Sequence, residues 1–255
     1  MLIDVHVHIG TGTVADMSIS EEDILRTWDE AGIDSGIVQP TTQRVNIEAQ
    51  RAAHDRIYRF AKDNPGRVYG MVNLNPHLPP QQYHDEAKRC IEELGFVGIK
   101  LLTVSTSCSP ISPDGLMVFK TCREFGVPIM VHTGSGVPFS LPSLCIAPAR
   151  QFPDVKVVLA HSGMVIYVDE AILAADLCPN IYLETSLTPN HVIRKILKTV
   201  SPKRLLFASD LLEDASTDVF KWKAVPMSDA DREWPMWRTA ADVYRLPAPA
   251  PAGHD

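Results

Sequence analysis

The sequence predicts an α/β protein, a (β/α)8 TIM barrel, on three observations. Strand-like and helix-like segments alternate strictly from residue 2 to residue 210. Several strands are nearly continuous apolar runs, as in a parallel sheet buried on both faces. The units number eight, which closes a barrel, and a chain of 255 residues has the ordinary length for one. A doubly wound open sheet is the competing fold, but nothing here resembles its G-x-G-x-x-G turn.

Residues 2–8 alternate β-formers with Asp and His and read as strand one, ended by Gly10 and Gly12. Ser20 then caps a helix with the acidic first turn Glu21, Glu22 and Asp23. Ile24, Leu25, Trp28 and Ala31 keep helical spacing, and Gly32 closes that helix. Residues 33–39 form strand two, stopped by Pro40. The helix over 46–62 sets Ala53, Ile57, Phe60 and Ala61 on one face, and 67–74 is strand three. Tyr83, Ala87, Cys90, Ile91 and Leu94 stripe the next helix, before strand four at 96–101. Asp114 opens a helix with Val118, Cys122 and Phe125 inward; Gly126 ends it and 127–132 is strand five. The helix over 141–152 contains Pro148, which should shorten or kink it. Residues 155–161 are strand six, followed by a face of Val168, Ala171, Ile172 and Ala175. Strand seven is 181–184; Val192, Ile193, Ile196, Leu197 and Val200 stripe the next helix, and 205–210 is strand eight. Beyond Asp210 the pattern weakens. Residues 229–246 read as a last helix interrupted by Pro235, and 247–255 as a disordered Pro/Ala-rich tail. One barrel domain over 1–246, with no second domain, is the expected organisation.

Hydrophobic residues at 45% and charged residues at 22% describe an ordinary soluble globular chain. A net charge of −7 without any Lys/Arg cluster argues against nucleic-acid and anionic-membrane partners, which leaves a small-molecule substrate. A homodimer is compatible with the sequence. The longest apolar runs are too short to span a bilayer, and residues 1–9 lack the basic and long apolar regions of a signal peptide. Cys90, Cys108, Cys122, Cys145 and Cys178 are odd in number and form no C-x-x-C, so free thiols in a reducing cytoplasm are expected.

The chemistry lies at the strand ends, where a barrel places its active site. His6 and His8, two apart on strand one, share a face directed at the barrel axis. His132 closes Ile129-Met130-Val131, His161 closes Val157-Val158-Leu159-Ala160, and Asp210 closes strand eight. Alone, a lone H-x-H or a His ending an apolar run is more often structural. Four imidazoles and a carboxylate at compatible strand ends instead point to a divalent transition metal: Zn²⁺ suits best, and Mn²⁺, Fe²⁺ or Co²⁺ are tolerated. Asp4 reads as a buried hydrogen-bond or ion-pair partner, and Lys100 as pairing with Asp4 or a substrate carboxylate. His54, His84 and His191 fall on helices and read as solvated; His77 sits in the strand-three loop within reach of substrate. Cys108 lies at the rim with nothing to activate it.

The stretches "LIDVHVHIG", "GFVGIKLL", "VPIMVHTGSG", "FPDVKVVLAHSGM" and "LLFASD" resemble the amidohydrolase superfamily. The likeness is to its amidohydrolase-related branch, which contains aminocarboxymuconate-semialdehyde decarboxylase and many metal-dependent hydrolases, and spans residues 2–210. It implies that His6, His8, His132 and Asp210 are metal ligands, with Asp210 also handling a proton of a nucleophilic water. His161 matches an acid/base histidine in mononuclear relatives and a ligand of a second metal in binuclear ones. Some binuclear relatives carry a carboxylated lysine where Lys100 stands. Three features depart from the pattern. "LLED" follows Asp210 where relatives often show an aromatic–proline pair, "DREWPMWRTAADVYRL" lacks the usual Asn-Ala signature, and residues 10–20 are short, which predicts a more open pocket.

Hydrolysis of a small amide, lactone or ester by metal-activated water is the leading expectation, with Asp210 as proton acceptor and His161 acting on the oxyanion. Non-oxidative decarboxylation of a small carboxylic acid is the alternative. It is weakened because decarboxylating relatives often replace the first histidine of H-x-H with glutamate, whereas His6 is intact. A non-catalytic barrel ranks third, since every expected ligand is in place.

Overall fold

A computed structural model of the protein describes residues 1–12, 17–41 and 46–247. Its strands are β1 (Ile3–Gly12), β2 (Met17–Ile19), β3 (Ser35–Pro40), β4 (Val68–Gly70), β5 (Val72–Asn73), β6 (Ile99–Leu101), β7 (Ile129–His132), β8 (Val157–Ala160), β9 (Ile181–Glu184) and β10 (Leu205–Leu206). Neighbours pair in parallel along β1-β3-β4 and along β5 to β10, and among the described residues only the hairpin of β1 with β2 is antiparallel. Strand three of the sequence reading is broken at Met71. That residue passes the chain from one ladder to the other: Met71 N donates to Val38 O (2.9 Å) and Val72 N to Gly98 O (3.0 Å). The ring closes where first and last strands meet, with Val5 N on Phe207 O (3.3 Å) and Asp210 N on His6 O (2.8 Å). The expected barrel is present.

Side-chain alternation divides the interior in two. Val38, Val72, Ile99, Val131, Leu159 and Leu183 point outward beneath the helices. Ile37, Met71, Met130, Val158, Leu206 and Ala208 point inward and fill the barrel. Ala240, Val243 and Tyr244 join this inner cluster and stop the mouth where the strands begin. They belong to the helix Thr239–Tyr244, so the segment after Asp210 supplies a plug as well as a wall.

Several elements differ from expectation. Strand one continues past Gly10, whose φ of 102° suits glycine, and pairs Gly10 with Ile19. The helix expected over 141–152 is a 3-10 turn, Pro142–Cys145, and a short α-helix, Ile146–Gln151, with another 3-10 turn, Pro138–Ser140, ahead of them, because prolines deny the backbone donors a longer helix needs. Helix Ala215–Ala224 was not expected. Pro235 does not interrupt the last helix: a π-turn, Trp234–Arg238, joins Asp229–Glu233 to Thr239–Tyr244, and Phe207 N donates to the Pro235 carbonyl (2.8 Å). The tail at 248–255 lies outside the described residues. All five cysteines are free and buried. No helix among the described residues is long and apolar enough to cross a membrane.

His54 is a correction. Expected to be solvated, it is fully buried, because its face of helix Ile47–Asp63 packs on the barrel. Its Nδ1 lies 2.8 Å from Glu86 Oε1, and Asn73 N donates to its Nε2 (3.3 Å). His84 is half-buried against Glu124, and His191 is exposed.

Candidate metal centre

The inward parity that fills the barrel ends on polar residues at the C-terminal rim. It carries Ile37 to Gln39, Met71 to Asn73, Met130 to His132, Tyr182 to Glu184 and Ala208 to Asp210. On β1 the register slips between Asp4 and Val7. This irregularity lets Val5 lie in the inner cluster while His6 and His8 take up the inward parity above it. Asp4, in step with His6 and His8 by simple alternation, therefore leaves their face. It remains a buried hydrogen-bond partner, accepting from Ser209 N (3.0 Å), Ser209 Oγ (2.6 Å) and His6 N (3.2 Å). Burial raises its pKa to about 7.

Three donor atoms converge on one point. His6 Nε2 and His8 Nε2 are 3.2 Å apart, and Asp210 Oδ1 lies 3.1 Å from the first and 3.3 Å from the second. The tautomers follow from acceptor-only partners on the far side of each ring. His6 Nδ1 donates to Glu184 Oε2 (3.1 Å) and His8 Nδ1 to Pro40 O (3.2 Å), so both Nε2 atoms present lone pairs beside a carboxylate oxygen. Such a triangle repels itself without a cation. Nitrogen ligands sit about 2.0–2.1 Å from a divalent zinc ion, so donors at tetrahedral or octahedral angles stand ~3.0–3.4 Å apart, which the triangle matches.

Lys100 supplies another positive charge, its Nζ 2.9 Å from His6 Nε2. Burial lowers its pKa to about 8, against the pull of Asp210 and Glu184. Asp4 is not its partner, which corrects that part of the sequence reading. Burial and then the Lys100 charge hold His6 well below the ordinary histidine range. Asp210 is lowered too, but for the opposite reason. Burial pushes its pKa up, but His6, His161 and the His8 hydrogen bond outweigh that and hold it well below the usual carboxylate range.

His132 and His161 form a second pair beside the triangle. His132 Nδ1 is 3.1 Å from His161 Nε2, and its Nε2 is 3.0 Å from Ser135 Oγ. His161 Nδ1 meets Ser186 Oγ at 2.8 Å, and its Nε2 is 4.0 Å from Asp210 Oδ2. Burial lowers the His161 pKa to about 4. His161 and Asp210 both have left-handed backbones, with φ of 64° and 62°. That strain is held by His161 N donating to Glu184 Oε2 (3.1 Å) and by the Asp210 N–H bond to His6. His77 stands at the rim and pairs with Asp114 (2.6 Å). Glu184 is the residue the sequence reading missed. One fully buried carboxylate takes hydrogen bonds from His6, from the His161 backbone and from Ser186 N. Its position at the end of strand seven, equivalent to those of His132 and Asp210, was the available signal.

A family model described as amidohydrolase matches residues 3–246. A curated relative, 2-amino-3-carboxymuconate-6-semialdehyde decarboxylase of Dictyostelium discoideum, is 25% identical over 138 residues. That match covers 46% of this chain and 38% of the relative, so it spans less than half of either. Solved structures of similar fold include a dihydroxybenzoic acid decarboxylase from Polaromonas sp. with bound manganese and the inhibitor 2-nitroresorcinol, at 17% identity and TM-score 0.77 over 96% of this chain and 97% of that one. Another is 5-carboxyvanillate decarboxylase from Sphingomonas paucimobilis, at 15% identity and TM-score 0.77 over 96% and 99%. A third is 4-oxalomesaconate hydratase from Rhodopseudomonas palustris, at 18% identity and TM-score 0.75 over 96% of each chain. The expectation of hydrolysis is corrected by these names: they are decarboxylases and a hydratase, and the alternative reading accords with them better. The metal named among them is manganese, so zinc is not singled out. Matched over nearly its whole described length, the chain belongs to the amidohydrolase family of enzymes.

Proposed function

We propose that the protein is a metal-dependent, non-oxidative decarboxylase of a small unsaturated or aromatic carboxylic acid. The observation that carries this is the buried donor triangle of His6, His8 and Asp210 with the Lys100 ammonium beside it, in a chain whose curated relative is a decarboxylase. His6, His8 and Asp210 would hold a divalent ion, with His132 as the fourth ligand; manganese and zinc both suit this nitrogen and oxygen set. Bound there, the ion supplies a fixed positive charge for a substrate oxygen.

The chain's own residues account for the rest. The reaction breaks the bond between carbon and carboxyl, releases CO₂ and places one proton on that carbon. His161 carries this proton. The proton comes from solvent: the neutral, buried imidazole takes it up at Nε2, which lies between His132 and Asp210, and hands it to the carbon, while Ser186 fixes Nδ1. Lys100 binds the acid end of the substrate, and burial of the whole cluster strengthens each of these charges. The one-domain barrel over 1–246, a homodimer and a cytoplasmic location belong to the same reading; five buried free thiols support the last.

The test is turnover by manganese-loaded protein in D₂O across unsaturated and aromatic acids. One deuterium should enter the product for each CO₂ released. His161→Ala should keep the metal and lose about 10²–10⁴-fold in rate. Addition of water to the substrate without CO₂ would replace this reading with a hydratase, and no CO₂ from any acid, with metal bound, would end it.

A further inference from the structure

Gln39 stands at the end of β3, its Cα in register with that of His8. It shares the inward parity of Ile37, a residue of the barrel interior, so its amide points into the C-terminal rim where the metal ligands converge. The side chain is 1% exposed, and among the described residues neither Nε2 nor Oε1 has a hydrogen-bond partner. Its neighbours on the same level are engaged. His8 Nδ1 and Asn73 Nδ2 both donate to Pro40 O, and Lys100 and Glu184 both contact His6.

A buried amide without partners has given up its bonds to water for nothing, and such groups are few in folded proteins. Leucine or methionine would fill the same volume without that penalty. An amide kept here, aimed into a site, indicates that a ligand completes it. The amide also defines the ligand, because it offers a donor and an acceptor side by side. A bare carboxylate offers only acceptors and would leave Oε1 unpaired.

We propose that Gln39 is a specificity-determining residue that binds a carboxylic acid with a hydroxyl or amino group on the adjacent carbon. Nε2 donates to an oxygen of the acid, and Oε1 accepts from the neighbouring O–H or N–H. The decarboxylase reading names the fate of this acid, and the role of Gln39 in binding is tested separately from it.

The probes are 2-hydroxybenzoate and 2-methoxybenzoate, which differ in the hydrogen that Oε1 would accept. Calorimetry on the manganese-loaded protein should find the hydroxy acid bound about 10-fold or more tightly than the methoxy acid. In Gln39→Leu and Gln39→Met the preference should fall to within about 2-fold, through weaker binding of the hydroxy acid. The ligand-free variants should melt about 2 °C or more above the wild type, since an unpaired polar group is gone. A preference that survives both substitutions, equal binding by the wild type, or no binding of either acid overturns the proposal. CO₂ release is scored independently. Selective binding without CO₂ removes the decarboxylase reading and keeps Gln39, whereas CO₂ release by a Gln39→Leu protein as selective as wild type does the reverse.

Discussion

Glu184 controls two histidines at once, and that makes it the most informative single residue outside the donor triangle. Its Oε2 accepts from His6 Nδ1 and from the His161 backbone, and so sets the tautomer of one ring and the strained backbone of the other. A carboxylate behind a ligating imidazole also raises the ligand's basicity. Glu184→Gln keeps the shape but loses the charge and one acceptor, so metal affinity should fall about 10–100-fold, as read by competition with a chelator. Unchanged affinity would show that Glu184 only fills space. The residues visible from sequence share one property: His132, His161 and Asp210 each end an apolar run, and His6 and His8 alternate within one. Glu184 was placed at the end of strand seven but passed over, because a glutamate at a strand end is usually a solvated residue and carries no mark of burial. His54 was hidden for another reason. Its partner Glu86 is 32 residues away on a different helix, and nothing local marks the two as buried together.

At the scale of elements, strands with continuous apolar runs were legible and short irregular ones were not. Strand seven was read with its observed ends, Ile181–Glu184, whereas strand eight shrank to Leu205–Leu206 because its later residues bond to β1 and to Pro235 instead of a regular ladder. Helix Ala215–Ala224 escaped notice because Phe220, 69% exposed, breaks the stripe made by Ala215, Val219 and Trp222. The joint between the first helix, Glu21–Ala31, and β3 depends on Gly36. A Cβ there would stand 2.5 Å from Trp28 Cζ2 and 2.6 Å from the Asp4 carbonyl oxygen. The carbonyl belongs to the neighbouring strand and cannot swing aside. Gly36→Ala should therefore cost about 1–3 kcal/mol in urea unfolding. A neutral result would mean that the helix is free to slide outward.

For the molecule as a whole, the His54–Glu86 pair predicts how stability depends on pH. Burial, against the pull of Glu86, lowers the His54 pKa below its unfolded value of 6.5. As pH falls through 6.5 the unfolded chain takes up that proton first, so stability present above this pH is progressively lost below it. Burial pushes Glu86 upward, but hydrogen bonds from His54 and Arg89 outweigh it and hold the carboxyl far below its ordinary 4.5. Its contribution is present above 4.5 and is lost as pH falls toward the folded value. Both groups thus weaken the fold in acid. In metal-free protein, unfolding free energy should decline from pH 7 to pH 5, and His54→Gln should flatten that slope. Parallel slopes for the two proteins would assign the loss to other histidines.

The seam of the barrel has a consequence for how the protein is made. His6 and His8 lie on one side of it and Asp210 on the other, and the Asp210 N–H bond to the His6 carbonyl crosses it. During synthesis the two imidazoles leave the ribosome about 200 residues ahead of their carboxylate, with the intervening strands made in between. A nascent chain therefore has no complete ion-binding triangle until the ends of the sheet find each other, a long-range closure that comes late in folding. On the proposed ligand set, loading of an ion and sealing of the ring would be one event, and an ion held across the join would act as a latch on a finished cylinder.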